Sequence, residues 1–185
     1  MKSLFLKPRL VGSRFDEHTL PLDVLKDWAA FEELVVEVAK HLYIEENPGR
    51  KRTPKGFTED FSLHLSGVEG GSAIPVLERI SFGKLPLPGD YFDRALGIVQ
   101  AAILAAAMAA PLPGNFPVSC LGYFDRFGKS LRDGESIEWT APGASQPTVY
   151  DRSTRKRLVL TGSRTYQSAA DLRGWITAVN AESGS

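Results

Sequence analysis

Between Leu96 and Ala110 the chain carries no charged residue; alanine, isoleucine and leucine dominate, Gln100 is the one interruption, and Pro111 closes the run. A stretch this apolar must leave water, and it is shorter than the ~20 residues needed to cross a bilayer. Alanine has the highest helix propensity, and its small side chain lets a neighbouring helix or sheet approach closely. Asp90 is placed to cap the start, after the breakers Pro86, Pro88 and Gly89. The sequence therefore predicts a helix over 91–110, packed on most of its circumference, around which the rest of the chain must be arranged.

A second helix is predicted from Leu25 to about residue 46. Leu25, Trp28, Phe31, Val35, Val38 and Leu42 recur at spacings of three and four, Asp23 is a plausible cap, and Asn47-Pro48-Gly49 ends the pattern. Asp27, Glu32, Glu33 and Glu37 mark an acidic outer face. A short strand is expected over Ser3–Val11, where Pro8 argues for a sheet edge. A hairpin is expected where Phe61, Leu63 and Leu65 alternate with Ser62, His64 and Ser66, turn at 67–72, and return over 73–80. A short helix is expected over Val118–Leu131. Further strands are expected over 135–140, 148–150 and 172–179; the last either pairs with an earlier strand or has its hairpin partner beyond residue 185.

The fold class that follows is α+β: a small mixed or antiparallel sheet packed against a long amphipathic helix and a buried alanine-rich helix. The sheet is built from an N-terminal strand, a central hairpin and C-terminal strands. The expected organisation is one domain over 1–185, with 1–132 as the main core and 133–185 as a β-rich C-terminal subdomain. With 43% hydrophobic and 24% charged residues, disorder is excluded on composition. Lys2-Ser3-Leu4-Phe5-Leu6 is cut short by Lys7-Pro8-Arg9, so no secretory leader is read there, and one cysteine forbids an intrachain disulfide. A cytoplasmic, soluble chain with no membrane partner is the expectation.

Candidate sites are few. Arg50, Lys51, Arg52 and Lys55 crowd a loop framed by Pro48, Gly49, Pro54 and Gly56; Arg152, Arg155, Lys156 and Arg157 form a second cluster, also read as a loop. Because Lys+Arg and Asp+Glu are both 22, neither reflects a global basic excess. Each is either a solvated loop or a contact for phosphates or an acidic partner. Arg126, Lys129 and Arg132, near Tyr123, Phe124 and Phe127, are a third cationic set, although those phenylalanines fit the core face of a helix.

Asp16-Glu17-His18 lacks a specific metal-ligand spacing, and His41 and His64 fit structural roles. Cys120 is either a helix-terminal thiol of lowered pKa or a small buried hydrophobe, and burial fits its surroundings better. The glycines of 67–72 lack the lysine and hydroxyl of a phosphate loop. No cofactor or metal is expected. The functional expectation is a non-catalytic binding or accessory module of a larger bacterial-type cytoplasmic assembly, contacting a protein partner or nucleic acid through the basic loops. The alternative is a small hydrolase-like enzyme assembled from distant residues, with Asp16, Glu17, His18 or Cys120 as candidates.

Overall fold

The computed structural model describes residues 2–16, 19–70, 73–81, 90–140 and 147–168. Its elements are strands β1 (Lys2–Leu6), β2 (Arg9–Val11), β3 (Ser62–Glu69), β4 (Ile74–Ile80), β5 (Ser136–Trp139) and β6 (Thr148–Asp151). The helices are α1 (Leu22–Glu46), α2 (Tyr91–Ala107) and α3 (Arg152–Ser168). The α+β class holds, with the strands in two antiparallel sheets of three, ordered β1-β4-β3 and β2-β5-β6.

Pro8 explains why the N-terminal segment serves both sheets. It cannot donate to a ladder, and it lies between β1, which pairs with β4, and β2, which pairs with β5. Both are edge strands. A single bridge, Leu10 N donating to Ala73 O at 2.9 Å, joins the sheets at this point. The expected hairpin is present as β3 and β4, with an irregularity between Leu65 and Gly67.

α1 runs 25 residues, which at 1.5 Å each is roughly 37 Å. It packs along α2 and touches both aromatic nuclei of the core. One nucleus, beside the first sheet, holds Tyr43, Phe57, Phe61, Tyr91 and Phe92; Phe61 stacks on Phe92 at 4.4 Å. The other holds Trp28, Phe31, Phe124, Phe127 and Tyr150; Tyr150 stacks on Phe127 at 4.7 Å and donates its hydroxyl to Phe127 O.

Several boundaries differ from expectation. α1 begins at Leu22 with Pro21 in the capping position, so Asp23 sits in the first turn rather than capping it. Asp27, assigned to the acidic outer face, is buried. α2 is capped by Asp90, which accepts from the Phe92 and Asp93 amides, but it ends at Ala107. One outward stripe of Gly97, Ala101, Leu104 and Met108 is open, with Leu104 45% and Met108 71% exposed, while the rest of the helix circumference is packed as expected. Val118–Asp125 is a 3-10 segment followed by turns, not an α-helix to Leu131.

The largest correction is α3. The cluster 152–157, read as a loop, forms the first turns of a helix that also absorbs Leu158–Leu160. Asp151 starts it, accepting from Thr154 N and Ser153 Oγ, both at 2.8 Å. The expected strand 172–179 lies outside the described residues. No helix among the described residues is long and apolar enough to cross a membrane.

Candidate functional site

The loop between α1 and the first sheet is fixed at both ends. Asn47 Nδ2 donates to Tyr43 O at 2.8 Å, and Arg50 N donates to Asn47 O at 2.8 Å, closing a turn around Pro48-Gly49. At the far end Phe57 N donates to Pro54 O, and the Phe57 ring is buried against Tyr43, Tyr91 and Phe92. Between these anchors Arg50, Lys51, Arg52 and Lys55 are all exposed. None forms an ion pair or side-chain hydrogen bond among the described residues. Four arginines elsewhere are engaged, Arg14 with Glu135, Arg79 with Asp90, Arg94 with Glu46 and Arg126 with Glu33, whereas Arg132 is exposed and forms no ion pair among the described residues.

The second cluster is used differently. Arg152 pairs with Asp133 at 2.7 Å. Arg155 donates to Asp125 O, and Arg157 donates to Ala106 O and Ala107 O at 2.9 Å each, satisfying carbonyls at the C-terminal end of α2. Lys156, also exposed, is the one member of the cluster with neither an ion pair nor a side-chain hydrogen bond among the described residues. The clusters are also apart. The far anchor of the loop, Phe57, meets Tyr91 at the start of α2, whereas Arg157 grips its end, roughly 24 Å away along the helix axis. They do not merge into one patch.

Of the other candidates, Glu17 and His18 lie outside the described residues, and Asp16 is exposed beside them. His64 Nε2 is 3.3 Å from Ser62 Oγ. His41 Nε2 is 3.2 Å from Ser119 Oγ, an exposed contact on the helix surface. Such a distance suits a nucleophile and base, but the pair has no carboxylate hydrogen-bonded to the imidazole among the described residues. The neighbouring Cys120 is 2% exposed, and burial pushes its thiol up to about 11, away from the thiolate. No group of three potential metal-binding side chains occurs among the described residues. Gly67 to Glu69, expected in the turn, belong to β3, and residues 71 and 72 lie outside the described residues.

Sequence reasoning missed a polar network between α1 and the segment after Phe127. Asp27, 1% exposed, accepts from the amide and hydroxyl of Ser130. Burial raises its carboxyl above the ordinary range, against the lowering effect of the Ser130 donors. Next to it, Arg14 donates from Nε and Nη2 to the two oxygens of the buried Glu135 at 3.0 and 2.9 Å, from Nη1 to Asp23, and from Nη2 to Ser130 O. Burial works to raise the Asp23 carboxyl, but Arg14 outweighs it and holds it below the usual value. Apart from Arg14–Asp23, these pairs span 103 to 121 positions of sequence, and no local pattern announces them. Comparisons with known protein families, curated proteins and solved structures gave no match to this chain.

Proposed function

We propose that the protein is a non-catalytic binding module whose loop 47–56 contacts a phosphate-bearing partner, nucleic acid being the polymer that presents phosphates at the required density. The observation that carries this reading is the contrast in commitment: four adjacent exposed cations without partners among the described residues, held on a loop pinned at both ends. Pinning matters because an ordered loop loses less conformational entropy on binding than a floppy one. Arg50 and Arg52 offer planar forks that take phosphate oxygens two at a time, while Lys51 and Lys55 add point charges. The α3 cluster belongs to the reading only through Lys156, since Arg152 is paired with Asp133 and Arg155 and Arg157 are engaged with backbone carbonyls.

The test is an anisotropy titration with labelled single- and double-stranded DNA and RNA at 50 and 200 mM salt. If all four cations meet phosphates, affinity for duplex DNA should fall on the order of a hundredfold across that fourfold change in salt. The double variant Arg50→Glu/Arg52→Glu should abolish binding while leaving the far-UV spectrum intact. Equal binding by wild type and variant sinks the proposal. Binding to poly-glutamate with no affinity for nucleic acid replaces the phosphate partner with an acidic protein.

A further inference from the structure

The first half of α1 and the turn at 126–130 flank an open cleft of about 420 Å³ that the basic loop does not line. That volume falls within the range of small-molecule sites and is too small for a folded partner. Its walls are methyl groups and aliphatic stems: Ala29 and Ala30 from α1, and the side chains of Lys26 and Lys129 from the two sides. Its base is Asp27, nearly inaccessible and tied to Ser130.

The charges around the cleft sort into committed and uncommitted. Arg126 also lines it but is paired with Glu33, and Asp23 is paired with Arg14. Lys26 and Lys129 remain, both exposed, and neither forms an ion pair among the described residues. They stand on separate segments whose approach is fixed by the Ser130–Asp27 bonds, so the fold itself brings two uncommitted lysines to the lining of one cleft.

We propose that this cleft binds a small organic anion, with Lys26 and Lys129 taking its carboxylate or phosphate group at the mouth and its apolar body lying against Ala29 and Ala30. The orientation follows from the base. A second negative charge driven down beside the buried Asp27 carboxylate would be repelled, whereas at the mouth it meets two cations. An inorganic ion satisfies the lysines but leaves the methyl walls wet, so an attached apolar body should add affinity in proportion to the area it covers.

Phenyl phosphate is a suitable probe, with inorganic phosphate and benzyl alcohol supplying the charge and the ring separately. In an amide-resolved NMR titration of the full chain, phenyl phosphate should shift Lys26, Ala29, Ala30, Lys129 and Ser130 saturably in the millimolar range or tighter. Inorganic phosphate and benzyl alcohol should each bind at least tenfold more weakly. Lys26→Met with Lys129→Met keeps the stems and removes the charge, and should weaken phenyl phosphate at least tenfold with unchanged amide dispersion. Arg50→Glu/Arg52→Glu should leave these shifts as they are. The proposal is overturned by the absence of saturable shifts in the cleft, by shifts confined to loop 47–56, by indifference to the lysine substitutions, or by equal affinity for inorganic phosphate.

Discussion

Gly128 shows how one backbone position joins two parts of the structure. Its φ of +76° lies in the left-handed region, and a Cβ built there would stand 2.5 Å from Cε1 of Tyr150. The missing side chain lets Tyr150 stack on Phe127, and the turn then delivers Lys129 and Ser130 to α1. Gly134 makes a natural control, with φ +82° and open space around its Cβ position. Gly134→Ala should cost about 1–2 kcal/mol, the ordinary penalty for an L-residue in this conformation. Gly128→Ala adds overpacking against the ring, for a total of about 2–5 kcal/mol. Urea midpoints of the two variants check this, and equal losses would mean that Tyr150 moves aside without cost. Asp27 is the opposite kind of residue. Its neighbours on the outer face of α1 are glutamates, so the sequence alone groups it with them. Only the approach of Ser130 makes it an interior acceptor, and nothing local to α1 encodes that. The basic loop was legible because its residues are contiguous; the cleft was not, because Lys26 and Lys129 meet only through tertiary structure.

Among the elements, α1, α2 and the β3–β4 hairpin are legible because each carries its own period and its own breakers. α3 is not. Its buried positions near the start are Thr154 and Leu158, with Gly162 next on the same side, 3.1 Å from Leu121 Cβ at its would-be side chain. Two of those three are small or polar, so the apolar stripe is nearly invisible beside four cations in the first turns. The signal that was present is Asp151 three residues before Thr154, an acceptor placed for the amide it binds. Asp151→Ala should therefore cost about 1 kcal/mol at neutral pH. Burial acts to raise the Asp151 carboxyl, but the Thr154 and Ser153 donors outweigh it and hold it below its ordinary value. The sign follows: the cap's contribution is complete above the usual carboxylate range and is lost as pH falls through the depressed folded-state pKa. The gap between wild type and Asp151→Ala should thus close at low pH, as measured by urea denaturation across that range. A gap that persists in acid would show that the carboxyl caps equally well when protonated.

At the scale of the whole molecule, one long helix links the two aromatic nuclei. α1 reaches Phe127 through Trp28 and Phe31 at one end and Phe57 through Tyr43 at the other. α2 reinforces the link, with Tyr91 and Phe92 in the nucleus of the first sheet and its C-terminal carbonyls held by Arg157 of α3. The tryptophans make this coupling measurable. Trp28 and Trp139 both belong to the second nucleus, in contact with Phe127 and Tyr150, and Trp175→Phe removes the third tryptophan of the chain. In that background Phe57→Ala opens a hole in the other nucleus, at a cost of about 3–5 kcal/mol. With a urea m-value of about 2 kcal/mol/M, the midpoint should fall by roughly 1.5–2.5 M. If α1 unites the halves, tryptophan fluorescence must fall by as much as far-UV circular dichroism, although no tryptophan touches Phe57 among the described ring contacts. A fluorescence midpoint that stays in place while the circular dichroism splits into two steps would mean that each sheet folds with its own end of the helix, and that the chain is two units sharing one rod.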